Sequence, residues 1–272
     1  MKRKFQLSKF ALFTASLMVA FLVLTAAEAF ARAGGGGGSS SGGGSGGGFY
    51  SGCGRWGNRC DVLDLIFEFL FFSVVAIGYV AIKIRWQIAL RWNSWRSERL
   101  LRKLARLDPV WDPEAIKARA TETFARVQIA WRERDQSICR DFVTERLYEE
   151  HKRQTDRMLA ERTINELDRL ELRSIRVVGV LDVARGKGDT LWVCVKGAAT
   201  DYVRDVSTGI VFEGDPKKHE SFWELWVFTR SDKGWVLDEI LPKPTGSELW
   251  AFQPYSEVIN EQEVAERMSF RT

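Results

Sequence analysis

The sequence predicts an α+β domain that is carried behind a membrane-spanning helix. Three observations indicate this arrangement. An apolar run occupies residues 65–82 of the 272-residue chain and approaches the length that crosses a bilayer. After residue 108 the pattern changes to amphipathic helices, and then to alternating strands joined by polar turns. This order is typical of α+β domains, and a strongly bent sheet over helices would form a cone with an apolar interior.

The composition argues against some classes of site. The chain is 45% apolar with a formal net charge of +4, and so small a net charge does not by itself indicate a nucleic-acid-binding protein. It has two histidines and four cysteines. A zinc-type site would need nearly all of them, so we expect no metal ion and no other cofactor.

Residues 1–31 are predicted to be a secretory signal peptide. Basic residues at positions 2–9 precede an apolar run at 10–25, and small-x-small cleavage sites follow at 27–31, which is the order of a signal peptide. The alternative is an uncleaved first membrane helix. Because the run has sixteen residues and a spanning helix requires about 20, cleavage is favoured.

Residues 32–60 are predicted to be a flexible tether, because positions 34–48 contain only glycine and serine and such a sequence buries nothing. Cys53 and Cys60 lie near its end. We predict a disulfide between them if this loop lies outside the reducing cytosol. Two free thiols are the alternative.

A transmembrane helix is predicted for residues 61–84. Asp64 and Glu68 share one face of its first two turns, where we expect them to lie in the outer interface. The alternative is a buried pair that faces a partner helix or a proton path. The flank at 83–106 contains eight basic residues against one acid, Glu98. The positive-inside rule therefore predicts one crossing, with everything after residue 83 in the cytoplasm.

Residues 85–107 are predicted to be a basic amphipathic helix at the membrane surface. Tryptophan and leucine recur at helical spacing among its arginines, which suits a helix lying on an anionic membrane. Beside a crossing, lipid is a simpler ligand than nucleic acid, so we predict anionic lipid and no nucleic acid as partners. Stop-transfer charges without bound lipid are the alternative. The predicted lipid-binding residues are Lys83, Arg85, Arg91, Arg96, Arg99, Arg102, Lys103 and Arg106.

Residues 108–252 are predicted to form the soluble domain. Its first helix begins at Asp112-Pro113, where a capping carboxylate precedes a proline at the first helical position. A second helix follows Thr144. His151 lies on the apolar side of that helix, where we expect a structural histidine rather than a catalytic one.

The rest of the domain is predicted to be a sheet of about four antiparallel strands, followed by a C-terminal tail at 253–272. The predicted strands are 174–184, 190–204, 220–230 and 234–241. Within 191–195, aliphatic residues alternate with Trp192 and Cys194, so the two sets lie on opposite faces. Aromatic residues inside the cone could line an open pocket or fill a core. The predicted pocket residues are Phe124, Trp131, Trp192, Phe222, Trp226 and Phe228.

This domain resembles the Tim44-like domain family over about residues 107–241. The matching stretches include Leu107-Asp108-Pro109, Asp141-Phe142-Val143-Thr144, Trp226-Val227-Phe228-Thr229-Arg230 and Gly234-Trp235-Val236-Leu237. The resemblance implies an NTF2-like, cone-shaped fold and a non-enzymatic role on the inner face of a membrane. Mitochondrial members link the protein-import channel to its chaperone motor, and related members tie ribosomes to the membrane.

We therefore expect a membrane-anchored, non-enzymatic scaffold or adaptor at the cytoplasmic face of a bacterial inner membrane, with a membrane protein as its partner. The resemblance implies protein translocation or membrane-complex assembly as its setting. The signal peptide and tether have a bacterial character. They occupy the place from which mitochondrial members recruit the chaperone, so motor recruitment is not expected.

Two alternatives use the interior of the cone. One is a lipid- or peptide-binding domain. The other is a small-molecule enzyme of the ketosteroid-isomerase type, which would need a general base inside an apolar cone. The candidate bases are Asp182, Asp201, His219 and Glu224. No pair of them has a spacing that demands catalysis, and a charged residue in an antiparallel strand usually faces water.

Overall fold

The computed structural model of the chain describes residues 62–183 and 188–259, with side chains from residue 69 onward. The predicted signal peptide, the tether with its cysteine pair and most of the predicted C-terminal tail lie outside the described residues. The side chains of the two acids at the start of the predicted transmembrane helix lie outside them as well.

Three helices come before the sheet in the described part of the chain. They are α1 (Val62–Leu104), α2 (Pro113–Glu133) and α3 (Glu145–Ala160). α1 is a single helix of 43 residues, about 65 Å long at 1.5 Å per residue. The predicted transmembrane and juxtamembrane helices are therefore two halves of one helix, with no turn between residues 84 and 85.

Local signals explain where α2 and α3 begin. Asp112 Oδ2 accepts a hydrogen bond from Ala115 N at 2.9 Å, and Pro113 opens the first turn of α2. Thr144 Oγ1 accepts from Leu147 N at 3.3 Å. These caps satisfy backbone N–H groups that a helix leaves unpaired at its start, so both predicted helix starts are confirmed.

A curled sheet follows the helices. Its strands are β1 (Thr163–Asp182), β2 (Thr190–Asp205), β3 (Val211–Gly214), β4 (Glu220–Ser231), β5 (Gly234–Pro242) and β6 (Tyr255–Ser256), with a short helix α4 (Gly246–Ala251) before β6. The order across the sheet is β5-β4-β2-β1-β6, and β3 pairs with the far end of β2. All pairs are antiparallel except β1 with β6.

The predicted α+β class is confirmed, since helices precede a sheet that curls into half a barrel. Three register shifts interrupt the pairing of β1 with β2, after Asp168, Leu172 and Val177, and bulges of this kind bend a strand. Six strands are present in the described ranges rather than about four. The two additional strands, β3 and β6, have four and two residues, too few to show alternation in the sequence.

The sheet is covered on both faces. The face toward α2, which we call the inner face, carries Val193 and Trp226 and packs in the main core with Phe124 of α2. The outer face carries Cys194 and Leu225, which pack against the second half of α1 and against α4. β2 and β4 thus contribute alternate residues to two separate clusters.

Candidate functional site

The second half of α1 is part of the folded domain. Trp86 is buried against the outer face of the sheet, where its ring meets Trp223 edge-on with centroids 4.8 Å apart. Trp86 Nε1 donates a hydrogen bond to Pro244 O at 2.8 Å, and the Lys243 ammonium lies 5.2 Å from the centre of the Trp86 ring. The domain therefore begins three residues after Lys83.

The short helix α4 runs beside the same half of α1. Asn93 donates from Nδ2 to Leu249 O, and Arg96 Nη2 donates to Gln253 Oε1 at 2.8 Å. The buried residues of α1 recur every three or four positions, as a single stripe requires. They are Trp86, Ala89, Leu90, Asn93, Ser97, Leu101 and Leu104.

This stripe corrects the interpretation that the apolar residues of the basic segment lie on the membrane. Trp86, Leu90, Leu101 and Leu104 lie against the domain instead. A stripe of apolar residues is required for a helix on lipid and for a helix on a sheet alike. The spacing alone therefore could not distinguish the two surfaces.

The opposite side of α1 is exposed, and we call it the outward face. It consists of Ile84, Ile88, Arg91, Trp92, Trp95, Arg99 and Arg102. Trp92 and Trp95 are 49% and 52% exposed, with ring centroids 5.4 Å apart. Arg99 Cζ lies 5.7 Å from the centre of the Trp95 ring, close enough for a cation–π contact. The outward face is thus mainly apolar near the candidate span, where Arg91 interrupts it, and basic further along.

The eight predicted lipid-binding residues are spread along the helix axis. Seven are exposed and Arg96 is half-buried. At 1.5 Å per residue, Arg99 lies about 24 Å along the axis from Lys83, whereas the headgroup layer is about 5–8 Å thick. A helix that leaves the bilayer at Lys83 therefore keeps Lys83 and Arg85 among the headgroups and carries the residues from Arg96 onward beyond them. Lipid binding by all eight residues stays a prediction.

Five of the six predicted pocket residues meet in the main core. Phe124 and Trp226 have ring centroids 5.6 Å apart, and Trp226 and Phe228 have centroids 6.4 Å apart. Trp131 and Phe222 belong to the same cluster. All five are at most 7% exposed, so these side chains are packed as core residues are.

The sixth pocket residue, Trp192, was predicted wrongly. Trp192 lies on the outer face of the sheet, with its ring 5.7 Å from that of Phe252. Its neighbour Val193 faces the inner core, and successive residues of a strand point to opposite faces.

His151 lies beside the main core as a buried side chain. Its ring is 5.6 Å from that of Trp131 at an angle of 72°, and burial lowers the pKa of His151 to about 4. Among the described residues, His151 Nε2 and Trp131 Nε1 have no hydrogen-bond partner. An uncharged imidazole packed on an indole ring fits the structural role that the sequence predicted.

Two of the candidate bases are buried, which corrects the expectation that they face water. Glu224 lies on the inner face, and its Oε2 accepts a hydrogen bond from Trp226 Nε1 at 3.0 Å. Asp182 accepts from Ser256 Oγ at 2.5 Å, and burial raises the pKa of Asp182. Each buried carboxyl group has the hydrogen bond that burial requires.

The other two candidate bases are half-buried. Asp201 Oδ1 accepts from Asn165 Nδ2 at 3.1 Å, and His219 Nδ1 lies 3.5 Å from Thr200 Oγ1. Each of the four groups thus contacts a neighbour that is not itself a candidate base.

Sequence reasoning missed an ion-pair cluster at the edge of the core. Arg230 donates from Nη2 to Asp108 Oδ2 at 2.6 Å and from Nη1 to Asp189 Oδ2 at 3.2 Å. Burial opposes ionisation of Asp108, but hydrogen bonds from Val110 N–H and from Arg230 hold the pKa of Asp108 below its usual value. A cavity of about 600 Å³ adjoins the cluster. Asp108 and Arg230 are 122 positions apart, so no local pattern connects them.

The chain is similar to one family model and to solved structures. A family model described as the Tim44-like domain matches residues 97–241, and the match begins within α1, in the part of the helix that packs on the sheet. No curated protein matches the chain. A solved structure of the intermembrane space region of chloroplast protein ARC6 is similar, with 11% identity and a TM-score of 0.37 over 48% of this chain and 98% of that chain.

Proposed function

The chain belongs to the Tim44-like domain family, and from this premise we propose a membrane-anchored, non-enzymatic scaffold that presents its domain at the cytoplasmic face of a bacterial inner membrane. A membrane protein is its proposed partner, in protein translocation or membrane-complex assembly. The continuity of α1 carries the proposal. Mostly exposed apolar side chains run from Phe69 to Ile84, and the buried stripe begins at Trp86 with no loop between them.

α1 has the properties of an anchor. By length and composition, it is the one helix in the described ranges that is able to cross a membrane. The basic excess after residue 83 favours a cytoplasmic domain by the positive-inside rule. With α1 as the span, anionic headgroups would contact Lys83 and Arg85, and we propose that lipid contributes locally to anchoring.

The packed interior favours action through the surface of the domain. Phe124, Trp226 and Phe228 occupy the space that a lipid- or peptide-binding cone would leave open. A general base must reach its substrate, whereas the Glu224 carboxylate is buried beside Trp226 and accepts a hydrogen bond from it. These contacts support a scaffold over a binding cone and over an enzyme that uses Glu224 as its base. Asp182 lines the cavity beside Arg230, where its carboxylate accepts a hydrogen bond from Ser256.

Topology and anchoring provide the test. A reporter fused after Thr272 of the full chain should be active only in the cytoplasm, and the fusion should stay in the membrane pellet after carbonate extraction. Activity only in the periplasm would contradict the proposed orientation. Release by carbonate would contradict the membrane anchor.

A further inference from the structure

The outward face of α1 stays apolar after the helix has left the bilayer. Trp95 lies about 18 Å along the helix axis from Lys83. If Lys83 marks the edge of the hydrocarbon core, a helix tilted by 40° still holds Trp95 about 14 Å above that edge. The headgroup layer extends only about 5–8 Å. The bilayer that holds the span therefore does not cover Trp92 and Trp95.

Something other than lipid should cover these side chains. Ile84, Ile88, Trp92 and Trp95 are each about half exposed on one side of the helix, and they continue the exposed apolar surface of the span. Arg91 lies among them, between Ile88 and Trp95. An exposed, largely apolar patch on a soluble surface marks an interaction site. The domain cannot provide the cover, because it packs on the opposite side of α1.

The charges on the outward face indicate what would fit it. Beyond Trp95 the face continues with Arg99 and Arg102, and the adjacent acid Glu98 is 3.0 Å from Arg102 and two-fifths exposed. A second copy of α1, which has the same orientation in the membrane, would bring arginine opposite arginine. An acidic segment at this height would instead form charge-assisted hydrogen bonds with both arginines.

We propose that the outward face of α1 binds a helix of a partner membrane protein. The matching face of that helix is mainly apolar for about three turns beyond the hydrocarbon core, opposite Ile84 to Trp95, and acidic opposite Arg91, Arg99 and Arg102. The inference rests on the proposed scaffold function, and it specifies the surface and the chemistry of the partner.

Cysteine labelling of the full chain tests this proposal. In a Cys53→Ser, Cys60→Ser background, the remaining Cys139 and Cys194 are buried, and burial raises their pKa values to about 11 and about 12, so neither should react. A single cysteine is introduced as Trp92→Cys. The matched control is Leu159→Cys, at a position 49% exposed on α3. A membrane-impermeant maleimide is applied to membrane vesicles of both orientations, and to purified chain in phosphatidylglycerol vesicles.

In native membranes, Trp92→Cys should react at least about tenfold more slowly than the control. This ratio of rates corresponds to a partner that covers the outward face for about nine-tenths of the time. In purified vesicles the two rates should be similar. Slow labelling in purified vesicles would assign the face to lipid. A Trp92→Cys disulfide dimer would assign it to a second copy, and equal rates in native membranes would show it uncovered. Each of these three results overturns the proposal.

Charge reversal tests the chemistry of the partner separately. Arg99→Glu with Arg102→Glu should bring Trp92→Cys labelling in native membranes up to the control rate, whereas the two lysine substitutions should retain most of the protection. Protection that survives charge reversal would refute the acidic partner. If Leu159→Cys reacts only in right-side-out vesicles, the proposed topology is wrong. The ratio of the Trp92→Cys and Leu159→Cys labelling rates then still decides whether the outward face is covered.

Discussion

Truncating Trp86 distinguishes a helix packed on the sheet from a helix lying on lipid. Trp86→Ala should leave a cavity between α1 and the outer face of the sheet, because the indole ring is 93% buried there. Truncations of this kind cost about 3–5 kcal/mol of unfolding free energy. The lost ring pair with Trp223, whose centroids are 4.8 Å apart, accounts for about 1 kcal/mol of that cost.

Trp92→Ala is the matched control, since Trp92 lies on the same helix but is 49% exposed on the outward face. In purified chain it should change the unfolding free energy by about 0.5 kcal/mol or less. The assay is thermal unfolding of the full chain in mild detergent, followed by near-ultraviolet circular dichroism. At roughly 2–4 °C per kcal/mol, Trp86→Ala should melt roughly 6–20 °C below the parent chain, and Trp92→Ala within about 2 °C of it. Equal shifts for the two variants would refute the packing of α1 on the sheet.

Three further perturbations test the core. The pKa of His151 is about 4 in the folded chain, against 6.5 when unperturbed. The contribution of the neutral imidazole to the unfolding free energy is therefore complete above pH 6.5, and about 3 kcal/mol of it is lost as the pH falls towards 4. His151→Leu should flatten this pH dependence in denaturant titrations. Arg230→Met leaves the buried Asp189 carboxylate without its ion pair and should lower the unfolding free energy by about 3 kcal/mol, and an unchanged urea midpoint would contradict this. Gly197→Ala places a Cβ 2.3 Å from the Phe222 ring and should cost about 1–3 kcal/mol through overpacking, measurable as a lower Tm.

Local chemistry made much of the domain predictable. The caps at Asp112 and Thr144 form within three residues of each helix start, so a short stretch of sequence contains the whole signal. The alternation along β2 likewise assigned Val193 and Cys194 to opposite faces. Such features depend on neighbours in the chain, and they appear directly in the sequence.

The start of β1 was not predictable in the same way. β1 begins at Thr163, eleven residues before the predicted start at 174. Arg169 has a positive φ of 51°, and the register shifts along this half of the strand break the period of two. A bent strand of mixed exposure does not alternate, so its sequence does not resemble a strand.

The candidate site depends on contacts between distant residues. Trp86 and Pro244 are 158 positions apart, and nothing near Trp86 in the sequence distinguishes a sheet from a lipid surface as its neighbour. The spacing of apolar residues therefore predicted an amphipathic helix correctly, but not the sheet on which the second half of α1 packs. The outward face of α1 is defined by the packing of the domain on the opposite side of the helix, which the sequence does not show.

Because α1 is unbroken, the orientation of the domain about the helix axis is fixed relative to the candidate span. An α-helix advances about 1.5 Å and turns about 100° with each residue. One residue added between Lys83 and Trp86 would therefore swing the whole domain by more than a quarter of a turn about the helix axis, with almost no change in height. Rotation of the span within the bilayer would be transmitted in the same way. The number of residues between Lys83 and Trp86 thus determines the direction, about the helix axis, in which the domain faces.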